Sequence, residues 1–251
     1  MRVVVCAIAK NEHKYINEWV KHYLSLNVDH IYIFDNDNVN VKYIGGCIDK
    51  EYKNKITIYN YRGVKMKYLQ HTLYNLFYHT HKFDWVLFVD IDEFLMGVKD
   101  IHDLANGNYQ QVRIKWKLFG DDNIIERDTS IPVNGFFKQE KHDGRLEYQN
   151  KSLVRGGLNI QINSCHFVKY LKSCFPSGKQ CQSKELNILD YENEKVFIYH
   201  YMTKTLSEFI NQKLNRGDAV WSNRKIGLDY FWQINEKTKE KSEYLKNIGL
   251  E

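Results

Sequence analysis

Asp84-Trp85-Val86-Leu87-Phe88-Val89-Asp90-Ile91-Asp92-Glu93-Phe94 is the stretch on which the reading of this chain turns. The apolar run 85–89 has the length and composition of a strand buried on both faces, and it breaks abruptly into carboxylates. Asp90 and Asp92, two residues apart at the edge of a strand, can point to one side and offer hard oxygen ligands. Mg²⁺ or Mn²⁺ takes one or two such carboxylates and fills its shell with phosphate oxygens and water. A bare Asp-x-Asp is a weak signal, and Asp35-Asn36-Asp37 is a second instance in the same chain. Its place directly after a buried strand favours metal binding over a loop or capping cluster.

Working outward, the first hundred residues alternate strand and helix patterns. Val3–Ala9 is a continuous apolar run. Asn11 is expected to cap a helix carrying Tyr15, Ile16, Trp19, Val20, Tyr23 and Leu24 at helical spacing. Strands are expected at 31–34 and 56–61, then a helix over 65–81 with Leu69, Leu73, Leu76 and Phe77 on one face, then the strand 85–89. This β-α-β-β-α-β order predicts an α/β fold, a mostly parallel central sheet with helices on both faces. Beyond residue 100, strands are expected at 111–116, 153–155, 160–168 and 196–200. Thr205-Leu206-Ser207-Glu208 reads as a capping box opening a helix that stops near Gly217. A last helix is expected over 229–247. Without repeats or a Pro/Gly linker, the chain reads as one domain, 1–251. Within it, 1–100 and 101–251 are expected to form two functional lobes.

Composition narrows the function classes. The 251 residues are 43% hydrophobic and 27% charged, with a net charge of +5. These are values of an ordinary globular chain, which excludes wholesale disorder. No apolar run reaches the roughly 20 residues that cross a bilayer. Lys10-Asn11-Glu12 follows the first strand at once, which is not a signal-peptide layout, so cytoplasmic residence is expected. The basic residues are mixed with acids and form no stripe, which argues against a nucleic-acid partner. Five cysteines without paired spacing read as reduced thiols. Cys165, Cys174 and Cys181 with His166 could supply zinc ligands, but no C-x2-C pair supports this.

Several short blocks, in order from residue 3 to residue 217, carry a family resemblance. They are Lys10-Asn11-Glu12 with Tyr15-Ile16 and Glu18-Trp19; Asp35-Asn36; Asp84-Trp85 leading into Phe88-Val89-Asp90-Ile91-Asp92-Glu93-Phe94; Trp116 with Phe119-Gly120; His200-Tyr201 with Lys204; and Phe209 followed by Lys213 and Arg216-Gly217. Together they resemble the small glycosyltransferases related to families 2 and 92. The resemblance implies a GT-A fold, a nucleotide-diphosphate sugar donor, most simply a UDP-hexose, and Mn²⁺ or Mg²⁺ as cofactor. It implies a glycan or glycolipid acceptor, with peripheral membrane association where that acceptor is lipid-linked. It also places uracil and ribose near Ala7, Asn11, Glu12, Asp35 and Asn36.

The chemistry of these residues is consistent with that. Departure of a nucleoside diphosphate develops negative charge on its β-phosphate, which a cation at Asp90 and Asp92 would stabilise. His200, at the end of an apolar strand, is the expected third ligand through a neutral imidazole. Lys204, Lys213 and Arg216 are candidate phosphate partners, Gln70 is expected to face the same pocket, and Ile91 lies between the two aspartates against the donor. An inverting transferase needs a general base. Asp122 and Glu93 are the candidates, although Asp121-Asp122 after Phe119-Gly120 departs from the small polar residues usual in relatives. Trp116, Tyr170, Trp221, Tyr230 and Trp232 are candidates for stacking on sugar faces. The rival readings are a haloacid-dehalogenase-type phosphatase, with the first aspartate as nucleophile, and a nucleotidyltransferase using the same acidic pair.

Overall fold

The computed structural model describes residues 1–105, 107–141, 149–181, 193–214, 216 and 225–251. Strand β1, Val3–Ala9, is buried along its whole length. Its side chains alternate between two cores, with Val3, Val5, Ala7 and Ala9 on one face of the sheet and Val4, Cys6 and Ile8 on the other. That is why this strand reads as an unbroken apolar run and shows no alternation. Helix α1, Ile16–Ser25, covers the first face with Ile16, Trp19, Val20 and Tyr23. Burying an Ile or Val side chain there contributes about 1.5–3 kcal/mol. Helix α2, Leu69–Thr80, covers the second face with Leu69, Leu73, Tyr74, Phe77 and Tyr78.

Strands β2 (His30–Asp35), β3 (Ile56–Asn60) and β4 (Trp85–Phe88) complete a parallel block in the order β3-β2-β1-β4. In register, Ala9 lies opposite Asp35 and Asp35 opposite Asn60, so the carboxyl ends of these strands form one edge. The fold is therefore α/β with helices on both faces, as the element order predicts. The sheet continues through antiparallel β8 (Asn150–Arg155), which pairs with β4 on one side and β6 (Gln111–Phe119) on the other. Short strands β9 (Ser173–Cys174) and β10 (Gln180–Cys181) close that side. Beyond the first half of β6, its residues 116–118 leave β8 and run parallel to β11, Phe197–His200. β11 also pairs antiparallel with β5, Glu93–Met96, and β7 (Glu140–Lys141) joins the end of β6. Trp116 sits at this fork between the large sheet and the small one.

Several expectations need correction. Asn11 does not cap α1. It is left-handed (φ 59°), and the helix begins four residues later than a cap there requires, at Ile16 with no side-chain cap. Helix α2 begins at Leu69 behind a left-handed Tyr68, and Leu76 points to solvent at 48% exposure. Residues 160–168 form no strand; Ile162 and Val168 enter the second core from a loop. Strand β5 was hidden in an acidic stretch because its pairing to β11 is non-local. The expected helix over 229–247 is two helices, α4 (Leu228–Ile234) and α5 (Lys239–Asn247). Asn235, in between, accepts the Asp121 N–H and donates to the Thr203 hydroxyl, and Thr238 then caps α5. The same Asn235 leaves no room for a Cβ at Gly120, which would lie 2.7 Å from its Oδ1. The capping box holds as read: the Thr205 hydroxyl accepts the Glu208 N–H, opening α3 (Leu206–Gln212). Gly217 lies outside the described residues.

Candidate active site

The edge formed by the carboxyl ends of β1, β2 and β4 collects the charged side chains of this half. Asp90 follows β4 directly, and Asp92 and Glu93 lead into β5. The turn between them is braced from α1, where the Trp19 indole donates to the carbonyls of Asp90 (3.0 Å) and Glu93 (3.1 Å) and the Tyr23 hydroxyl donates to Glu93 (3.1 Å). β11 sets His200 opposite Glu93, and the Tyr201 N–H donates to the Asp92 carbonyl. Three segments far apart in sequence are thereby brought to one point.

Each acid there has a cation. Asp90 Oδ2 is 2.7 Å from the Lys151 Nζ, and its Oδ1 accepts from Gln70 at 2.9 Å. Asp92 Oδ2 is 2.5 Å from the Lys213 Nζ, and its Oδ1 is 3.4 Å from His200 Nε2. Glu93 accepts the Asp90 N–H (2.9 Å), lies 3.2 Å from Lys151, and stands 3.7 Å from His200 Nδ1. Lys151–Asp90–Glu93–His200–Asp92–Lys213 is one continuous network. Burial opposes the charge of both aspartates, yet Lys151 holds Asp90 below the usual carboxylate range, and Lys213 with His200 holds Asp92 well below it. Burial pushes the Glu93 carboxyl well above the usual range against the pull of Lys151. Burial likewise lowers His200, whose ring packs edge-on at 4.4 Å from Trp116.

The expected metal set of Asp90, Asp92 and His200 is together, and its oxygen and imidazole donors suit Mn²⁺ or Mg²⁺ by chemistry. As arranged, it does not fit a cation. All four carboxylate oxygens face a protein nitrogen, and among the described residues no three His, Cys, Asp or Glu side chains are grouped to hold a metal ion. That applies equally to Cys165, Cys174, Cys181 and His166; all five cysteines are free thiols.

The remaining expected residues divide clearly. Asp35 is fully buried; its Oδ1 accepts the Asp37 N–H at 3.1 Å while its Oδ2 accepts no hydrogen bond. Burial raises its pKa. Glu12 pairs with Arg216 at 2.8 Å and keeps Oε2 unpartnered. Arg216 also donates to the Lys10 carbonyl, so it ties the amino-terminal loop to the segment after α3. Lys204 is 2% exposed, sits in the left-handed region (φ 57°), lies 4.5 Å over the Tyr15 ring, and its ammonium donates no hydrogen bond. Burial pulls it below the ordinary lysine range.

Other residues are spent on structure. The Asn11 amide donates to the Asn211 and Gln212 carbonyls. Asn36 donates to the carbonyls of Tyr61 and Val64, and Ala7 and Ile91 pack in the first core. Neither expected base is placed as one. Glu93 is wholly buried, and both oxygens of Asp122 accept backbone N–H groups, from Lys138 (2.6 Å) and Gln139 (2.9 Å). Of the sugar-stacking candidates, Trp116 is 6% exposed beside His200, Tyr230 donates to the Met202 sulfur, and Lys237 lies over Trp232. Tyr170 is 89% exposed, and Trp221 lies outside the described residues.

Sequence reasoning missed Lys151, Asp37 and Arg62. Asp37 is 3% exposed and accepts the Asn11 N–H at 2.6 Å, while its Oδ2 stands 3.5 Å from the His13 Nε2. The Arg62 Nε, without a hydrogen bond, is 3.9 Å from Asp35. The one signal available was that Asp37 completes the second Asp-x-Asp. A separate open cleft of about 570 Å³, lined by Met1, Trp85, Arg155 and Gly156 among others, lies at the opposite end of the sheet, away from this chemistry.

No family model matches the chain, and no curated protein matches it. Among solved structures, it is similar to residues 1–349 of S. aureus TarS. The complex with UDP-GlcNAc aligns at 17% identity and TM-score 0.39, over 62% of this chain and 45% of that one. The UDP complex aligns at 16% identity and TM-score 0.39, over 62% and 47%. An active-site mutant of LgtC aligns at 10% identity and TM-score 0.35, over 79% of this chain and 87% of that one. The chain thus spans about half of residues 1–349 of TarS.

Proposed function

We propose that this chain is a GT-A glycosyltransferase that moves a hexose from a nucleotide-diphosphate sugar, a UDP-hexose, to a hydroxyl of a glycan or glycolipid, with inversion at the transferred carbon. One observation carries the reading. Among the described residues, buried polar atoms without hydrogen bonds gather on the loops at this edge: Glu12 Oε2, Asp35 Oδ2 (3.9 Å from the Arg62 Nε), Asp37 Oδ2 (3.5 Å from the His13 Nε2) and the Lys204 ammonium. Buried polar groups in folded proteins are normally satisfied, so such a set calls for a ligand. Carboxylate acceptors suit ribose hydroxyls and a base N–H, and an ammonium suits phosphate. A nucleoside diphosphate offers all of these in one molecule.

In the reaction, the bond from the sugar's anomeric carbon to the β-phosphate oxygen breaks, and its electron pair leaves with that oxygen. The acceptor hydroxyl oxygen bonds to the anomeric carbon from the opposite face and gives its proton to a base on the acceptor side. Glu93 and Asp122 are both otherwise engaged, so that base is neither of them. The lysines near Asp92 lower the barrier by meeting the charge that gathers on the departing diphosphate.

Thermal unfolding with UDP, UMP, GDP and a panel of UDP-hexoses tests this. A ligand at about 100 times its Kd stabilises the folded state by about 2.7 kcal/mol, which raises the Tm by several degrees. UDP and one UDP-hexose are expected to do so, with slow UDP release from that hexose. The proposal fails if no nucleoside diphosphate moves the Tm, with or without Mn²⁺.

A further inference from the structure

We infer that this site meets the donor's diphosphate with the ammonium groups of Lys204 and Lys213 and takes no divalent cation. The inference rests on the transferase reading above and concerns how its leaving group is neutralised.

The positions that a divalent cation would take are occupied by lysines. Lys151 is 0% exposed, and its ammonium lies between Asp90 Oδ2 (2.7 Å) and Glu93 Oε2 (3.2 Å). It projects from β8, whose backbone is fixed opposite Ile114 of β6. A cation binding Asp90 Oδ2, on a side chain 33% exposed, would displace this fully buried ammonium and leave it with Glu93 alone. At Asp92 the position is held by Lys213, which is 7% exposed and donates to the Met202 carbonyl as well. The His200 Nε2 lies 3.4 Å from Asp92 Oδ1 and its Nδ1 3.7 Å from Glu93 Oε1, so both ring nitrogens face carboxylates of this network.

Lys204 and Lys213 also keep donors to give. An ammonium carries three N–H donors. Lys213 uses two, on Asp92 and Met202. Lys204 donates no hydrogen bond, although it is buried. It lies over the face of Tyr15, whose hydroxyl is itself held by Glu208 (2.7 Å) and Gln212 (2.9 Å). The residue also holds a left-handed backbone that lysine rarely adopts. A buried, pre-positioned cation with open donors, on the loop between β11 and α3, is built for an anion. The carboxylates then serve to hold the lysines in place, and the charge that a metal would supply is covalently part of the chain.

Calorimetric titration of the full chain with UDP, in EDTA and in Mn²⁺, tests this, with Mn²⁺ alone as a further titrant. The expected result is a UDP Kd equal within about twofold in the two buffers, no heat from Mn²⁺ alone, and a loss of roughly tenfold or more for Lys204→Met in both. Lys204→Arg, which keeps the charge, is expected to retain most of the binding and controls for folding. Tightening of UDP by roughly tenfold or more with Mn²⁺ would overturn the inference while leaving the transferase reading intact. So would Mn²⁺ binding that Asp92→Asn removes, or a folded Lys204→Met that binds UDP like the parent. Absence of UDP binding in both buffers would instead sink the transferase reading and this inference with it.

Discussion

Lys213 donates to Asp92 at 2.5 Å across 121 residues of sequence, with both side chains almost fully buried. This contact ties the end of α3 to the turn after β4, so the acidic motif and the third helix form one unit. Removing one member leaves the other charged and buried, at a cost of about 3–5 kcal/mol. Asp92→Asn is therefore expected to abolish transfer and also to lower the Tm by roughly 10 °C. In a double-mutant cycle, Asp92→Asn with Lys213→Met is expected to cost clearly less than the two singles added. Additivity would show that the contact contributes little.

Glu93 separates a base from a structural acid. Burial pushes the Glu93 carboxyl well above its usual range, and Glu93→Gln keeps its shape and an acceptor for the Asp90 N–H. It is expected to keep initial rates within a few-fold of the parent and to cost no more than about 1 kcal/mol in urea unfolding. A general base would lose roughly a hundredfold or more in rate on that change.

The acid limb of stability has an identified source in His22. Burial lowers its pKa from 6.5 to about 4, with its Nε2 at 2.9 Å from the Leu95 carbonyl. The folded value is the lower one, so the unfolded chain takes up the proton first as pH falls. Stability is then fully present above the unfolded value, declines between about pH 6.5 and 4, and levels off below. The loss amounts to at most about 3 kcal/mol. Urea unfolding at a series of pH values checks this, and the decline is expected to be shallower in His22→Gln.

Two lysines of α5 make contrasting predictions. Lys241 is 0% exposed and pairs at 2.5 Å with Asp121, itself 1% exposed, which pins α5 to the loop after β6. Lys241→Met is expected to cost about 3–5 kcal/mol in chemical denaturation. Lys239 pairs with Glu243 on the surface, 84% and 60% exposed, and Lys239→Met is expected to leave the unfolding midpoint unchanged.

The parallel block was legible because its signals are local. Val3–Ala9 and the run 85–89 announce strands buried on both faces, and Thr205 with Glu208 announces a helix start within four residues. The elements misread are those whose form depends on distant partners. β5 exists only because β11 lies beside it. The break between α4 and α5 exists because Asn235 is taken by Asp121 and Thr203, with no proline or glycine to mark it. Residues 160–168 are apolar enough for a strand but find a core to enter without one.

The site divides in the same way. Asp90, Asp92 and His200 could be picked out because polar residues at strand ends stand out against apolar runs, and Lys204, Lys213 and Arg216 through the short blocks that carry the family resemblance. Their pairing could not. Lys151 belongs to an unremarkable Asn-Lys-Ser stretch, and it reaches Asp90 only because β8 inserts between β4 and β6. By itself the sequence determined which elements form and which polar residues crowd one edge, since periodicity and polarity act over a few neighbouring residues. The tertiary structure alone decided which charge meets which, because ion pairing depends on distance in space, and strand order sets that distance.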